Sequence, residues 1–288
     1  MSLKKFCKSL TKVLPDKAYV WLDFIRNLHR IPNLRNPSTF NEKLQWLKLH
    51  DHNPSYTQMA DKLAMRSYVQ EKLGHGHTVQ VLGIWNSFDE IEFSSLPDMF
   101  VLKCNNDSGH YVICKDKNSF DMDAARKRIM EGLSTNYYYQ NREWVYKDIV
   151  PKIFAEQYLQ QDEGSHLWDY KFFCFNGDPK IMYMEKEASD IRTEAFFDMD
   201  KNYLDLEMDD PRPDVPPALP SCFNQMRSMA AILSEGIPFL RVDFFYVNGA
   251  IYVGELTFFH CGGLAPVRPE RWNRILGSWI SLPKGNTD

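Results

Sequence analysis

The sequence predicts an α+β protein in two lobes, and three observations predict it. Roughly the first 80 residues read as helices and the remainder as mixed strands and helices, an order that suits an α+β chain. Two strand pairs are each joined by Asn-Gly, at Asn176-Gly177 and Asn248-Gly249, the strongest short-range hairpin signal. A chain of 288 residues is long enough for one large domain or two lobes.

The elements follow in order. "NPSTFNEKLQWLKLH" carries Pro37 and a capping box from Thr39 to Glu42, and its helix buries Phe40, Leu44 and Leu47. "TQMADKLAMRSYVQEKLG" is a second helix stopped by Gly74. From Val79 the pattern turns to strands in "TVQVLGIW", "MFVLKCN" and "YVICKD". A helix covers about Asp121 to Leu133, and "NYYYQNREWVYKD" reads as an aromatic loop. "KIFAEQYLQ" is a strand, and "DYKFFCFNGDPKIMYMEKE" is a hairpin turning at Asn176-Gly177. Five prolines between Pro211 and Pro220 impose a loop. A helix from about Cys222 to Glu235 leads into the last hairpin, "RVDFFYVNGAIYVGELT".

A composition of 44% hydrophobic and 25% charged residues is that of a soluble globular protein. The net charge of -4 argues against nucleic acid as a partner, because backbone binding wants a basic surface. The six cysteines (Cys7, Cys104, Cys114, Cys174, Cys222, Cys261) show no zinc spacing and read as reduced thiols of a cytoplasmic protein. There is no apolar run near 18 residues, and the start of the chain lacks an apolar stretch of signal-peptide length. The first 35 residues carry eight Lys/Arg against Asp16 and Asp23, with Leu3, Phe6, Leu10 and Val13 at helical spacing. That segment either rests on an anionic membrane surface or is a solvated face with its apolar side packed on the body.

Several chemistries are absent. The sequence has no P-loop, no dinucleotide-binding glycine motif after a strand and no nucleophile elbow. "GHGH" at Gly74–His77 offers two histidines where zinc needs three or four ligands, and it reads as a solvated turn. Asp198 and Asp200 form a D-x-D, a short pattern that sugar-nucleotide transferases use for a metal and that also arises by chance.

What remains is charge in places where the pattern expects apolar residues. In "MFVLKCNNDSGHYVICK", Lys103 precedes a loop of small polar residues that either forms an anion nest of backbone N–H groups or is a surface turn. Glu156 ends an apolar strand, and Asp169 and Lys171 open another. The last hairpin carries Arg241, Asp243 and Glu255 among Phe, Tyr and Val, where an ionised carboxylate needs a positive partner. A two-residue Asn248-Gly249 loop pairs Asp243 with Gly254 and puts the two acids on opposite faces. A three-residue Val247-Asn248-Gly249 loop pairs Arg241 with Glu255 and gathers Arg241, Asp243, Glu255 and Thr257 on one face. An Arg241–Glu255 pair would then leave Asp243 alone, whereas a divalent cation between Asp243 and Glu255 accounts for both acids, an arrangement usual for Mg2+ with substrate phosphates.

These pieces, in this order, resemble the ATP-grasp superfamily and, more narrowly, its TupA-like (teichuronopeptide-biosynthesis type) family, whose members are often filed as glycosyltransferases. The resemblance runs from about Asn36 to Pro283 through "NPSTFNEKLQWLKLHD", "ADKLAMRSYV", "FVLKCN", "NYYYQNREWVYKDI", "AEQYL", "DYKFFCFNG" and "FLRVDFFYVNGAIYVGELTFF". It implies an ATP-grasp fold, with antiparallel sheets of two α+β lobes clasping ATP: a helical segment over 1–60, a small lobe with the phosphate loop over 61–155 and a large lobe with the metal-binding hairpin over 156–288. It implies that Lys62 and Lys103 hold ATP phosphates and that the loop Asn105–Gly109, with Asn105, Ser108 and Gly109, closes over them. Glu156 with the backbone of Gln157 and Leu159 would read adenine, Lys171 would lie near the phosphates, and Arg241 would stabilise the transferred phosphoryl group. Asp243, Glu255 and Thr257 would hold Mg2+. The loop departs from the family's glycine-rich form at Asp107 and His110, Thr257 stands where many ATP-grasp enzymes outside the family have asparagine, and "FFHCGGL" (Phe258–Leu264) differs from the family's small-residue ending.

The reaction implied is ATP- and Mg2+-dependent joining of a carboxylate to an amine through an acyl-phosphate. The family's setting implies a uronic-acid or amino-acid carboxylate, on a small or lipid-linked saccharide, in bacterial surface-polysaccharide synthesis at the inner face of the membrane. Tyr137–Tyr139 and Trp144 either stack on sugar rings or form a packed cluster. The alternatives are a metal-dependent glycosyltransferase using Asp198 and Asp200, and a non-catalytic ATP-binding module.

Overall fold

A computed structural model describes residues 13–107, 109–160, 167–188 and 191–283. Ser108, Cys7 and the apolar positions Leu3, Phe6 and Leu10 lie outside the described residues. Among the described residues four helices come first: α1 (Asp16–Leu28), α2 (Phe40–His50), α3 (Ser55–Ala60) and α4 (Met65–Leu73). The capping box of α2 is present. Thr39 accepts from the Glu42 N–H, and the Glu42 carboxylate accepts backbone N–H groups from Asn33, Ser38 and Thr39.

The small lobe is an antiparallel four-stranded sheet in the order β1-β4-β2-β3, from β1 (Val81–Trp85), β2 (Phe100–Cys104), β3 (Tyr111–Cys114) and β4 (Ile153–Gln157). Strand alternation sends Phe100, Leu102, Ile153 and Ala155 to a core shared with Ala125 and Ile129 of α5 (Met122–Ser134). Asp121 caps α5 by accepting from the Ala124 N–H at 2.9 Å. The odd residues of β2, Val101 and Lys103, are left facing away from that core. The segment expected as an aromatic loop contains one short turn of helix, α6 (Tyr138–Asn141), and a 3-10 turn at Trp144–Tyr146.

The large lobe is an antiparallel five-stranded sheet ordered β7-β6-β5-β8-β9. It comprises β5 (Asp169–Phe175), β6 (Asp178–Ala188), β7 (Ile191–Asp198), β8 (Phe239–Val247) and β9 (Ala250–Thr257). Strand β7 is an element the sequence pattern does not announce. Helix α7 (Phe223–Leu233) covers one face, with Phe223 against Phe172 and Met226, Ala230 and Leu233 in the same core. The opposite face is divided along its length. At one end Phe173 and Phe239 pack on Phe40 of α2, ring centroids 6.0 and 5.1 Å apart. At the other end the same face carries Lys171, Arg241 and Asp243, and there it opens into a cavity. Helix α8 (Glu270–Trp279) closes the chain against α2, and Asn273 accepts from the Asn41 N–H at 3.3 Å.

The interior does not divide where the sequence order suggests. Leu44, Tyr56, Met65 and Val69 from the helices before β1 share one core with the five-stranded sheet, so residue 60 marks no break in packing. The expected lobe boundary at 155/156 falls within β4, whose Glu156 and Gln157 still pair with β1 and β2.

Candidate active site between the two sheets

A cavity of about 1300 Å³ lies between the sheets, lined from the small lobe by Lys103 and Glu156 and from the large lobe by Lys171, Arg241, Asp243 and Glu255. The β8–β9 hairpin sets its floor, and its register corrects the three-residue loop. The turn has two residues, Asn248 (φ 50°) and Gly249 (φ 83°), with Val247 opposite Ala250. The extra residue lies within β9. Phe244 pairs with Val253 but Asp243 pairs with Glu255, leaving Gly254 as a bulge. Arg241 then faces Thr257 rather than Glu255, and Arg241, Asp243, Glu255 and Thr257 still share the cavity face. The bulge suits glycine because a Cβ there would sit 2.6 Å from the Phe245 ring.

The expectation that an Arg241 contact would leave Asp243 unpartnered is also corrected. Arg241 binds Asp243 in a fork, Nε to Oδ1 and NH2 to Oδ2 at 2.7 Å each, and reaches Glu255 more distantly at 3.4 Å. His260, which the sequence did not single out, holds the remaining guanidinium nitrogen through Nδ1 at 3.0 Å. Burial, then Arg241 and Lys171, push its pKa well below the ordinary histidine value, so the ring is neutral and accepts. Lys62 donates to Glu255 at 3.0 Å and to the Asp107 carbonyl at 2.6 Å. Burial works to raise the Glu255 pKa, but Lys62, Arg241 and Lys171 outweigh it and bring it down to about 2.

Lys171 pairs with Glu185 and lies 3.6 Å from Asp169. Burial opposes its charge, and Asp243 and those two acids more than restore it. On the small lobe Glu156 is buried rather than solvated. It accepts from Lys103 at 2.6 Å and from Arg66, another residue not anticipated, at 3.3 Å. Gln157 and Leu159 line the cavity beside it, as does Gly109. Asn105 is placed differently. Its side chain donates to Asp61 at 2.9 Å and to the Val150 carbonyl and accepts from the Lys152 N–H, which pins the start of the loop to the body. Asp107 is buried and its carboxylate is turned onto His110, which removes a bare negative charge from the loop.

The donor set of Asp243, Glu255 and Thr257 fits a hard cation such as Mg2+. All are oxygen donors, two of them carboxylates opposite each other in the sheet, and the buried Thr257 hydroxyl has no hydrogen-bond partner among the described residues. Among those residues no three His, Cys, Asp or Glu side chains form a metal cage.

The competing motifs serve other ends. In "GHGH", the His77 carbonyl accepts from the Val253 N–H at 2.8 Å and His77 Nδ1 contacts the Ile251 carbonyl, so the turn is stitched to β9. Asp198 folds its own turn by accepting from the N–H groups of Asp200 and Asn202. The aromatic run is divided: Tyr137 and Tyr139 line the cavity, while Tyr138 bonds Asp16 and Trp144 packs on His52 and Tyr56. Cys104, Cys114, Cys174, Cys222 and Cys261 are unpaired. Among the described residues no helix is long and apolar enough to cross a membrane.

Similar solved structures include the D-alanine–D-alanine ligase of Bacillus anthracis in complex with ATP, at 15% identity and a TM-score of 0.41 over 70% of this chain and 55% of that one. The D-alanine–D-alanine ligase of Helicobacter pylori matches at 14% identity and a TM-score of 0.42 over 77% of this chain and 61% of that one. The N5-carboxyaminoimidazole ribonucleotide synthetase of Thermus thermophilus matches at 11% identity and a TM-score of 0.38 over 78% of this chain and 49% of that one. The chain thus spans about half to three-fifths of the length of these proteins. No match was found among curated protein sequences. The family model for TupA-like ATP-grasp proteins matches residues 42–281, most of the chain, and the protein belongs to the TupA-like ATP-grasp family.

Proposed function

We propose that the protein is a carboxylate–amine ligase that consumes ATP with Mg2+ and joins its substrates through an acyl-phosphate. The observation that carries this reading is the convergence of Lys62, Lys103, Lys171 and Arg241 with Asp243 and Glu255 in one cavity between two antiparallel sheets. Four cations suit a polyphosphate, and two carboxylates suit the metal that accompanies it. Lys62 and Lys103 hold the phosphates, and Arg241 and Lys171 stabilise the charge that develops on the transferred group. Glu156 and the backbone near Leu159 read the adenine edge, since the Gln157 N–H is already donated to the Gln80 carbonyl. Glu156 keeps acceptor capacity beyond its two cations, because a carboxylate has about four lone-pair sites. Mg2+ bound by Asp243, Glu255 and Thr257 would neutralise charge on the phosphates.

In the first step a substrate carboxylate oxygen bonds to the γ-phosphorus and ADP leaves with the bridging oxygen. In the second an amine nitrogen bonds to the acyl carbon, the carbon–oxygen bond to phosphate breaks, and phosphate and a proton depart. Neither step needs a protein nucleophile. The loop ending at Gly109 shields the acyl-phosphate from water. We place the carboxylate on a uronic acid or amino acid of a bacterial surface saccharide, small or lipid-linked. Family membership supports this setting.

The test is release of ADP and phosphate from Mg·ATP with panels of acids and amines. Turnover that requires acid and amine together, reduced about 10²–10³-fold in Lys103→Ala and Glu255→Gln, is the expected result. Thermal stabilisation by UDP-sugars and none by Mg·ATP would overturn the reading.

A further inference from the structure

Beyond the phosphate end, the cavity continues along the five-stranded sheet toward its β7 edge. Asp169 on β5 pairs with Glu185 on β6, and Glu185 with Glu194 on β7, so these carboxylates form a row across one face. Asp209 and Asp210, from the loop after β7, line the same end. Most of these acids have partners. Lys171 serves Asp169 and Glu185, Arg192 lies 3.5 Å from Glu185, and Asp209 accepts from Cys261 Sγ at 3.0 Å.

Glu194 differs. It is 3% exposed and lines the cavity, yet its Oε2 has no hydrogen-bond partner among the described residues. An unmatched buried carboxylate oxygen is unfavourable wherever packing alone decides the residue. Burial, then the charges of Glu185, Asp209 and Asp210, push its pKa up to about 7 against the smaller relief of a backbone hydrogen bond from Asp210. Among the described residues no cation pairs with this carboxylate, and it lies on the wall of a cavity large enough to admit one.

We propose that the acidic end of the cavity, centred on Glu194, is the subsite that receives the amine substrate as a primary ammonium ion. The assignment rests on the ligase reading, because it names where the second substrate of that reaction binds. An organic cation is the choice because the ligase reading requires an amine as its second substrate. An ammonium has three N–H donors, which suits the free oxygen of Glu194 with Glu185 and Asp209 beside it. Glu194 stands two strands from Lys171 and three from Asp243, about 10 and 14 Å at ordinary strand spacing.

The probes are the free amino acids, glucosamine and ethanolamine, each beside its N-acetylated counterpart, which keeps the skeleton and removes the charge. Binding is measured by calorimetry in the presence of Mg·ADP, on the wild type and on Glu194→Gln. At least one free amine is expected to bind, its acetylated form not to bind, and Glu194→Gln to weaken it at least tenfold while Mg·ATP stabilises both proteins equally. If Glu194→Gln fails to fold, Asp209→Asn carries the comparison with the same expected loss. Free and acetylated forms binding alike, no amine binding, or full affinity in the variants overturns the subsite while leaving the ligase reading intact. A wild type that does not bind Mg·ATP overturns both.

Discussion

Glu194 is a buried and Glu255 a half-buried carboxylate on the same face of one sheet, and their surroundings move them in opposite directions. Lys62 and Arg241 hold Glu255 down to about 2, whereas burial among other acids raises Glu194 to about 7. For Glu194 the folded pKa lies above the unfolded value near 4.5, so the ionised form is disfavoured in the fold. The resulting destabilisation is present above pH 7 and disappears as the pH falls toward 4.5. Glu194→Gln is therefore expected to stabilise the protein at pH 8 by up to about 3 kcal/mol and to change little near pH 5. Thermal melts at the two pH values check this, and equal melting of variant and wild type at pH 8 would show that the carboxylate is compensated. Glu255 has the opposite sign: its stabilising contribution is present above 4.5 and is lost as the pH falls toward 2.

At the scale of elements, the β8–β9 hairpin decides the site through one residue. Ile251 and Val253 face the core before the bulge and Leu256 faces it afterwards, a change of phase across Gly254. That change was written in the sequence, since buried apolar positions move from odd to even numbers there. It was masked because Asn248-Gly249 is also compatible with a bulge at the turn itself. Gly254→Val would press on the Phe245 ring and displace Glu255. It is expected to weaken Mg·ATP binding about tenfold by calorimetry, equivalent to about 1.4 kcal/mol, with the circular dichroism spectrum kept. Unchanged affinity would reduce the bulge to strain relief. The capping box of α2, both Asn-Gly turns and most strands were legible because their causes are local. Strand β7 was not, because "IRTEAFFD" mixes charges among its apolar residues and is a strand only by pairing with β6. His260 and Arg66 were not legible either, since each meets its partner across long stretches of chain.

For the molecule as a whole, Lys62 is one tie between lobes, bonded at once to the Asp107 carbonyl of the small-lobe loop and to Glu255 on the large-lobe hairpin. It is not alone in being engaged. Lys103 holds Glu156, Lys171 holds Glu185, and Arg241 holds Asp243. A nucleotide arriving without its metal would draw these cations away and strand the acids, and breaking the buried Arg241–Asp243 pair in that way costs about 3–5 kcal/mol. A metal arriving without phosphate would strand the cations instead. Only the two together let every charge change partners, so each must raise the affinity for the other by the same factor. ATP is accordingly expected to bind at least tenfold more weakly in EDTA than with Mg2+, and the ratio to shrink in Glu255→Gln; equal affinities with and without metal would contradict the exchange. On the proposed reading the cleft would act as a coincidence detector, favouring the metal–nucleotide complex over nucleotide or metal alone.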